Sequence, residues 1–581
     1  MKNNKLEAIQ KLLTQKGIDY YLIPNSDEFF SEYPASYAKR IEYLTGFSGS
    51  FAIVVIPQEG IPYLFTDGRY TTQAKLECGQ AYKILNIREQ NISNFFNGHD
   101  KLIIGFDPKV CSKQFIDSLK NSCPNYQFEI TENLVDLIWE NKPTYPSSPA
   151  FTLPLNMVGN TVSSKLAPLV GMIIASHADY LLFTNPETIC WLLNLRSHDL
   201  EYTPVLLCYA LIDVQGNIAL FLNKADRLRD VKLDSDIKLE MHELSKLEEI
   251  LSNKLSGKTI IYDAANSNIY FDNLLNTQAK VIHTNDTTLI LRAQKNNIEI
   301  KAIEHAHLLD AVSVINSLYN ISTMINEQAS LDEMKVDQIL LHERSKHDDF
   351  LFPSFSTIAG FNENGAIIHY RANHNTNKVI NGNGLLLIDS GGQYYSGTTD
   401  ITRTILIGDT AAKFSKYYTA VLKGHIDLAL ARFPANTTGS QLDCLARKYI
   451  WELGLDYDHG TGHGVGMCLN VHEGPQRISK TPSSQALLPG MLLSNEPGIY
   501  KVGQFGIRIE NLMYVKQGQD GFLSFKQLTL VPYEKNLIDF SSLSPHQYEW
   551  LKAYYNDIKS QILPKIEDLK ASKWLTEQIA I

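Results

Sequence analysis

The chemistry of this sequence is concentrated between His369 and Glu510. Six of the 16 histidines fall between His369 and His472, among most of the glycine-rich turns. The run Gly384 to Gly392 reads as a buried strand that ends in Asp389 and a turn, and a second run, Thr398 to Ile407, contains Asp400. A two-stranded ribbon folding about Gly391 to Gly397 places Asp389 and Asp400 on neighbouring strands. Taken singly, an aspartate beside glycine is usually a turn former. His459-Gly460-Thr461-Gly462-His463-Gly464-Val465-Gly466 is too rich in glycine for a helix, where each would cost about 1 kcal/mol relative to alanine. It also lacks the Lys-Ser/Thr of a nucleotide loop. In an extended chain, side chains four apart leave the same face, so His459 and His463 reach one site, and His472 follows beside Glu473. Glu496 sits in Asn495-Glu496-Pro497-Gly498, just past the apolar run Met491 to Leu493. Gly506 to Glu510 alternates, with Ile507 and Ile509 on one face and Arg508 and Glu510 on the other.

Combined, these residues say more than any one does. Asp389, Asp400, Glu496 and Glu510 in one partly buried site would repel one another and take up protons unless cations neutralise them. Two divalent ions balance four negative charges. Oxygen donors plus one imidazole, His463, suit two ions about 3.5–4 Å apart. That donor set leans toward Mn²⁺ over Zn²⁺, although Co²⁺, Fe²⁺ and Zn²⁺ also accept it.

The elements that must position this set occupy about half of the chain. Its 581 residues, with 53 Lys+Arg against 63 Asp+Glu and a net charge of −10, exceed one domain and carry no basic run. Nucleic acid and anionic membrane, which attract Lys/Arg clusters, are therefore not expected as partners. The longest apolar stretch, near Leu166 to Ala175, is short of the roughly 20 residues of a membrane span. Residues 2–16 carry charges where a signal peptide has an apolar core. The seven cysteines are scattered without a CxxC pair, as expected of reduced thiols in a cytoplasmic protein.

Residues 1–155 alternate helix and short strands, Tyr20 to Ile23, Phe51 to Ile56 and Tyr63 to Thr66, and the proline-rich Asn141 to Pro154 reads as a connector. Residues 156–296 repeat this outline: Asp179 to Asn185 echoes Asp19 to Asn25, and Ala219 to Phe221 falls where Tyr63 to Phe65 falls. Either one α/β module is duplicated or two unrelated α/β domains share short apolar strands for physical reasons alone. Residues 297–581 read as one α+β unit. It opens with a long helix through Ile303, His307, Val314, Leu318 and Ile321. A later helix has Phe414, Tyr418, Val421, Leu422 and Ala429 on one face, and a last one is capped by Ser544 with Pro545 and Gln547 in its first turn.

The ordered set of Asp389, Asp400 eleven residues on, His463, Glu496-Pro497-Gly498 and Glu510 resembles the metallopeptidases of the pita-bread fold. Methionine aminopeptidases, prolidases, aminopeptidases P and the metal-free creatinases share that fold. Tyr43 to Ser50, Phe65 to Tyr70, Trp191 to Arg196 and Ile368-His369-Tyr370 are similar to the three-domain aminopeptidases P, or Xaa-Pro aminopeptidases, and the likeness covers nearly the whole chain. The resemblance implies two creatinase-type α/β domains followed by a pita-bread catalytic domain with a C-terminal helical extension. It implies that Asp389, Asp400, His463, Glu496 and Glu510 hold two metals, with Asp400 and Glu510 bridging them. It also implies that His369, His459 and His472 line the substrate site with His463, that Arg69 reaches the peptide and that Tyr500 borders the site.

The activity so implied is removal of the first residue of short peptides whose second residue is proline. A metal-bridging hydroxide attacks, Glu496 shuttles a proton, and His459 and His472 hydrogen-bond the developing oxyanion. The alternatives are a prolidase confined to dipeptides, a creatinase-like amidinohydrolase and a non-catalytic pita-bread binding protein; the intact ligand set argues against the last two. The resemblance also implies a homodimer. The aromatic residues Trp550, Tyr554, Tyr555 and Trp574 are compatible with an interface or with packing inside the domain.

Overall fold

The spacing of Leu6, Ile9, Leu12 and Leu13 is realised in the helix Lys2–Lys16, which buries Ile9 and Leu13 completely. In the computed structural model, which describes residues 2–96, 101–232, 237–286 and 288–581, this helix belongs to the first of two compact units. The first unit comprises Met1–Leu153 and Asn160–Thr288; the second comprises Pro154–Gly159 and Leu289–Ile581.

The first unit holds two six-stranded sheets. One is built from Tyr20–Pro24, Ile53–Pro57, Tyr63–Thr66, Lys83–Asn86, Ile103–Phe106 and Gln127–Ile130. The other is built from Tyr180–Phe183, Tyr209–Asp213, Ile218–Leu222, Leu239–Glu243, Thr259–Tyr262 and Lys280–His283. With the strands of each sheet counted in chain order, both run 4-3-2-1-5-6. Both are antiparallel through strands 1, 2 and 3 and parallel elsewhere. The echo between Asp19 and Asp179 has a structural reason. Each aspartate precedes the first strand and accepts the backbone N–H that opens the fifth strand, Ile103 N at 2.7 Å and Thr259 N at 2.9 Å. One α/β architecture therefore occurs twice in this unit. The two copies meet where the Glu28 carbonyl accepts hydrogen bonds from Tyr209 Oη and Asn268 Nδ2, both at 3.0 Å.

The second unit opens with the helix Asn297–Asn326, whose N-terminus is closed by a capping box between Asn296 and Glu299. By length and composition this helix could cross a membrane, with a mean hydropathy of 1.2 over its best window. The longest unbroken apolar stretch in the sequence pointed elsewhere, to the 14-residue helix Val162–Ala175. The Asn297–Asn326 helix buries Asp310, Ser313 and Ser317 along with Ile303, Val314, Leu318 and Ile321, and packs on the helix Glu333–Arg344. That is the environment of a core helix.

Ile358–Phe361, Gly384–Ser390 and Ile401–Ile407 form an antiparallel sheet, and Leu492–Asn495 pairs with Asn511–Gln517, which pairs with Leu523–Gln527. Every residue of Gly384–Ser390 is buried, as its unbroken apolar run requires. The helix Ala411–Ala429 places Phe414, Tyr418, Val421 and Leu422 in the main core, and Ser544 and Gln547 close a capping box on Pro545–Gln561. The C-terminal aromatics pack inside the unit: Trp550 stacks on Tyr554 at 5.2 Å, Tyr554 on Tyr533 at 5.1 Å, and Trp574 lies 6.3 Å from Tyr319.

Candidate metal centre

Asp389 is the penultimate residue of Gly384–Ser390 and lies opposite Thr402, so Asp400 falls just before the partner strand begins at Ile401. The two aspartates are brought together across this antiparallel pair. His463 lies on the short strand Gly462–Gly464, which approaches its neighbours closely. A Cβ on Gly462 would come within 2.0 Å of the Ser494 carbonyl oxygen, and one on Gly464 within 2.2 Å of that of Glu473. These two glycines of the HGTGHG run are demanded by backbone proximity. Glu496 follows the strand Leu492–Asn495, and its backbone N–H donates to the Thr461 carbonyl at 2.8 Å. Glu510 lies between Phe505–Arg508 and Asn511–Gln517, where its N–H donates to the Thr402 carbonyl at 3.1 Å.

Ligand atoms of Asp400, His463 and Glu510 lie within 4.8 Å of one another. His463 Nδ1 faces the Gly464 carbonyl at 2.9 Å and so carries the proton. Its Nε2 then faces Asp400 Oδ2 (3.5 Å) and Glu496 Oε1 (3.6 Å) and is the nitrogen left for a metal once its proton is released. Asp389 Oδ1, Asp400 Oδ1 and Glu510 Oε1 are buried acceptors without a donor. Buried lone pairs that converge without hydrogens are costly unless a cation faces them. Four carboxylates, one imidazole with Nε2 turned toward them and three orphaned oxygens fit two divalent metal ions.

Electrostatics lead the same way. Burial pushes Asp389 up to about 7 against the pull of Arg508, and repulsion from Asp400 adds to it. Burial also raises Glu496 and Glu510, the latter well above the carboxylate range, with Asp400 contributing to both. Burial opposes charge on His463, yet Asp400 and Glu496 lift it to about 9. This is a site with excess negative charge, which bound cations would relieve.

The remaining expected residues are placed as follows. His459 Nδ1 faces the Gly460 carbonyl at 2.7 Å, and Nε2 lies 2.8 Å from Tyr500 Oη. Its Nδ1 is also 3.7 Å from Glu496 Oε2. Both ring nitrogens of His459 are therefore already engaged. The His472 ring stands edge-on to His463, with centroids 4.4 Å apart. His369 is half-buried in the turn that follows Asn362–Ala366. Arg69 belongs to the other compact unit, where its guanidinium is bound to Asp67 at 2.8 Å.

Arg508 is the site residue that sequence reasoning missed. Only 2% exposed, it donates to Asp389 Oδ2 (2.6 Å), Tyr500 Oη (2.8 Å), Thr402 Oγ1 (3.1 Å) and the Ile368 carbonyl (3.4 Å). The signal was present in the alternation that puts Arg508 and Glu510 on one face. An arginine on an alternating strand ordinarily faces water, and nothing local marks this one as internal.

Comparison with known proteins agrees with this geometry. A model of metallopeptidase family M24 matches residues 302–517, and one of its C-terminal region matches 521–581. Models of the creatinase/prolidase N-terminal domain match 5–138 and 141–299. The chain is 36% identical to Xaa-Pro aminopeptidase 1 of Dictyostelium discoideum over 99% of this chain and 96% of that protein. The crystal structure of an X-prolyl aminopeptidase from Caenorhabditis elegans, described as a cytosolic enzyme with a di-nuclear active site, superposes with a TM-score of 0.94 at 29% identity. It covers 100% of this chain and 99% of its own. The prolidase of Pyrococcus horikoshii OT3 shares the fold over 64% of this chain and 99% of its own, with a TM-score of 0.52 at 24% identity. Full-length similarity of this kind, joined to a buried four-carboxylate and histidine cluster, places the chain among the Xaa-Pro aminopeptidases of metallopeptidase family M24.

Proposed function

We propose that this protein is a dinuclear metal-dependent aminopeptidase that removes the N-terminal residue of peptides with proline in second position. The observation that carries the reading is the cluster of Asp389, Asp400, His463, Glu496 and Glu510 with its three orphaned oxygens. We assign these five residues as the metal ligands and Mn²⁺ as the native ion, because hard oxygen donors dominate the set. When bound, two such ions neutralise the carboxylates and supply Lewis-acid activation of water and of the scissile carbonyl.

The chain's own groups do the rest. The proline nitrogen carries no hydrogen in the substrate and must gain one as it leaves. Glu496, held by Ser494 Oγ at 3.2 Å, takes a proton from the attacking water and delivers it there. His472 donates to the developing oxyanion. His459 and Arg508 together orient Tyr500, whose hydroxyl receives from Arg508 and donates to His459. His369 lines the pocket for the proline ring.

A cytoplasmic location is supported by the description of the C. elegans relative as a cytosolic enzyme. A homodimer remains part of the reading, and light scattering tests it; a monomer would remove it. The deciding assay compares hydrolysis of an Xaa-Pro-Xaa peptide with that of Gly-Pro, with and without Mn²⁺, alongside elemental analysis of the pure protein. Turnover of the dipeptide alone would convert the reading to prolidase, and a protein without metal or turnover would make it a binding module.

A further inference from the structure

We propose that Glu333 is a positioning residue for the substrate site. Its carboxylate gathers residues 361–378 into one fixed segment and so sets the place of His369. Glu333 opens the helix Glu333–Arg344, where a glutamate normally faces water and complements the helix dipole. Here it is 0% exposed. A buried carboxylate is tolerated only if it is hydrogen-bonded, and the donors are the informative feature. Oε1 accepts from Phe361 N (2.7 Å) and Asn364 Nδ2 (2.9 Å). Oε2 accepts from Tyr370 Oη (2.8 Å), Lys378 N (2.9 Å) and Asn364 Nδ2 (3.1 Å). Every donor is uncharged, and every donor comes from the one segment, two from its ends and two from within.

The backbone ties the same knot. Glu333 N donates to the Lys378 carbonyl at 3.1 Å, and Met334 N to Asn377 Oδ1 at 3.0 Å. The segment is also anchored at the metal centre. The Ile368 carbonyl accepts from Arg508, the guanidinium that holds Asp389. The Tyr370 ring, 4% exposed, packs with Ile358, Leu387 and Tyr500. His369 stands between these two anchors, so its backbone is held by Arg508 on one side and, through Tyr370, by Glu333 on the other. The carboxylate needs no role in the chemistry to matter. It converts a long irregular segment into a rigid support for a residue at the pocket.

The proposal rests on the reading of His369 as a substrate residue, and the test separates the two. Glu333→Gln keeps the shape but turns an amide N–H₂ toward the Phe361 or Lys378 N–H. A stranded buried donor of this kind shifts an equilibrium about tenfold or more. Glu333→Gln, Tyr370→Phe, His369→Ala and the double variant Glu333→Gln/His369→Ala are compared in the metal-loaded protein. The readouts are kcat and KM on an Xaa-Pro-Xaa peptide, metal content and amide hydrogen exchange. The expected result is a loss in kcat/KM of about tenfold or more for Glu333→Gln. Metal content should stay unchanged and exchange should rise within 361–378 only. In the double variant, Glu333→Gln should cost no more than about twofold beyond His369→Ala, the non-additivity of residues that act as one. Should Glu333→Gln fail to fold, Tyr370→Phe enters the same cycle, with a smaller loss expected because it removes one donor and keeps the ring. Full additivity, or loss of metal together with activity, would overturn the proposal. An impaired His369→Ala beside an undiminished Glu333→Gln overturns it alone, whereas an undiminished His369→Ala overturns the reading of His369 and this proposal with it.

Discussion

Metal should stabilise the catalytic unit more at high pH than at low pH, and the size of the effect follows from the buried carboxylates. In the stripped protein, burial raises Asp389 from its ordinary 3.8 to about 7, against the pull of Arg508. A raised carboxyl means that the folded state holds a proton the unfolded chain has released. Its stabilising contribution is present at acid pH and is lost as pH rises from near 4 through 7. Such a displacement disfavours the ionised folded state by about 4 kcal/mol, of which about 3 kcal/mol is lost between pH 5 and 8.

His463, lifted to about 9 chiefly by Asp400 and Glu496 in spite of burial, has the same sign. Its charged form stabilises the fold below 6.5, and that contribution disappears as pH rises through 9. Glu496 and Glu510 are raised as well. Metal binds the deprotonated ligands and releases their protons, so the loaded protein escapes this loss. Calorimetric unfolding of stripped and Mn²⁺-loaded protein across pH 5 to 8 should show a gap that widens by about 3 kcal/mol or more. Asp389→Asn should flatten the stripped curve. A gap that is constant, or that narrows as pH rises, would refute the assignment of these carboxylates to one buried site.

Three further outcomes follow from the same geometry. Asp400→Asn should lose bound metal and turnover while circular dichroism stays native, because an amide N–H₂ replaces either the orphaned Oδ1 or the Oδ2 that faces His463; an active, metal-loaded variant would end the ligand assignment. Arg508→Met should destabilise the stripped protein by about 3–5 kcal/mol, the cost of leaving a buried partner unpaired. The loss should be smaller once cations neutralise Asp389, and denaturant melts of both forms check the difference. Gly462→Ala should disrupt the strand that carries His463, since the new methyl would meet the Ser494 carbonyl at 2.0 Å; reduced metal content and a lowered Tm measure it.

The residues of the buried carboxylate and histidine cluster were legible in sequence because their chemistry constrains their neighbours. Asp389 and Asp400 flank a turn on an apolar strand pair, and the glycines about His463 exist because Ser494 and Glu473 backbones press against them. The duplicated module was half legible. Asp19 and Asp179 repeat because each pins its first strand to its fifth, but only the common strand order separates duplication from chance likeness of short apolar strands. Arg508 was legible only as sharing a strand face with Glu510, and Glu333 was not legible. A strand arginine and a first-turn glutamate look like surface residues, and their burial depends on segments far away in the chain.

By itself, then, the sequence determined which side chains can hold metal and which helices and strands carry them, because those properties follow from local spacing and from residue type. The tertiary structure alone decided which charges are internal. Strand and helix patterns specify only the direction a side chain leaves its element, whereas its burial, its donors and its proton affinity depend on what packs over it. For Asp389 that is Arg508, 119 residues away in the chain.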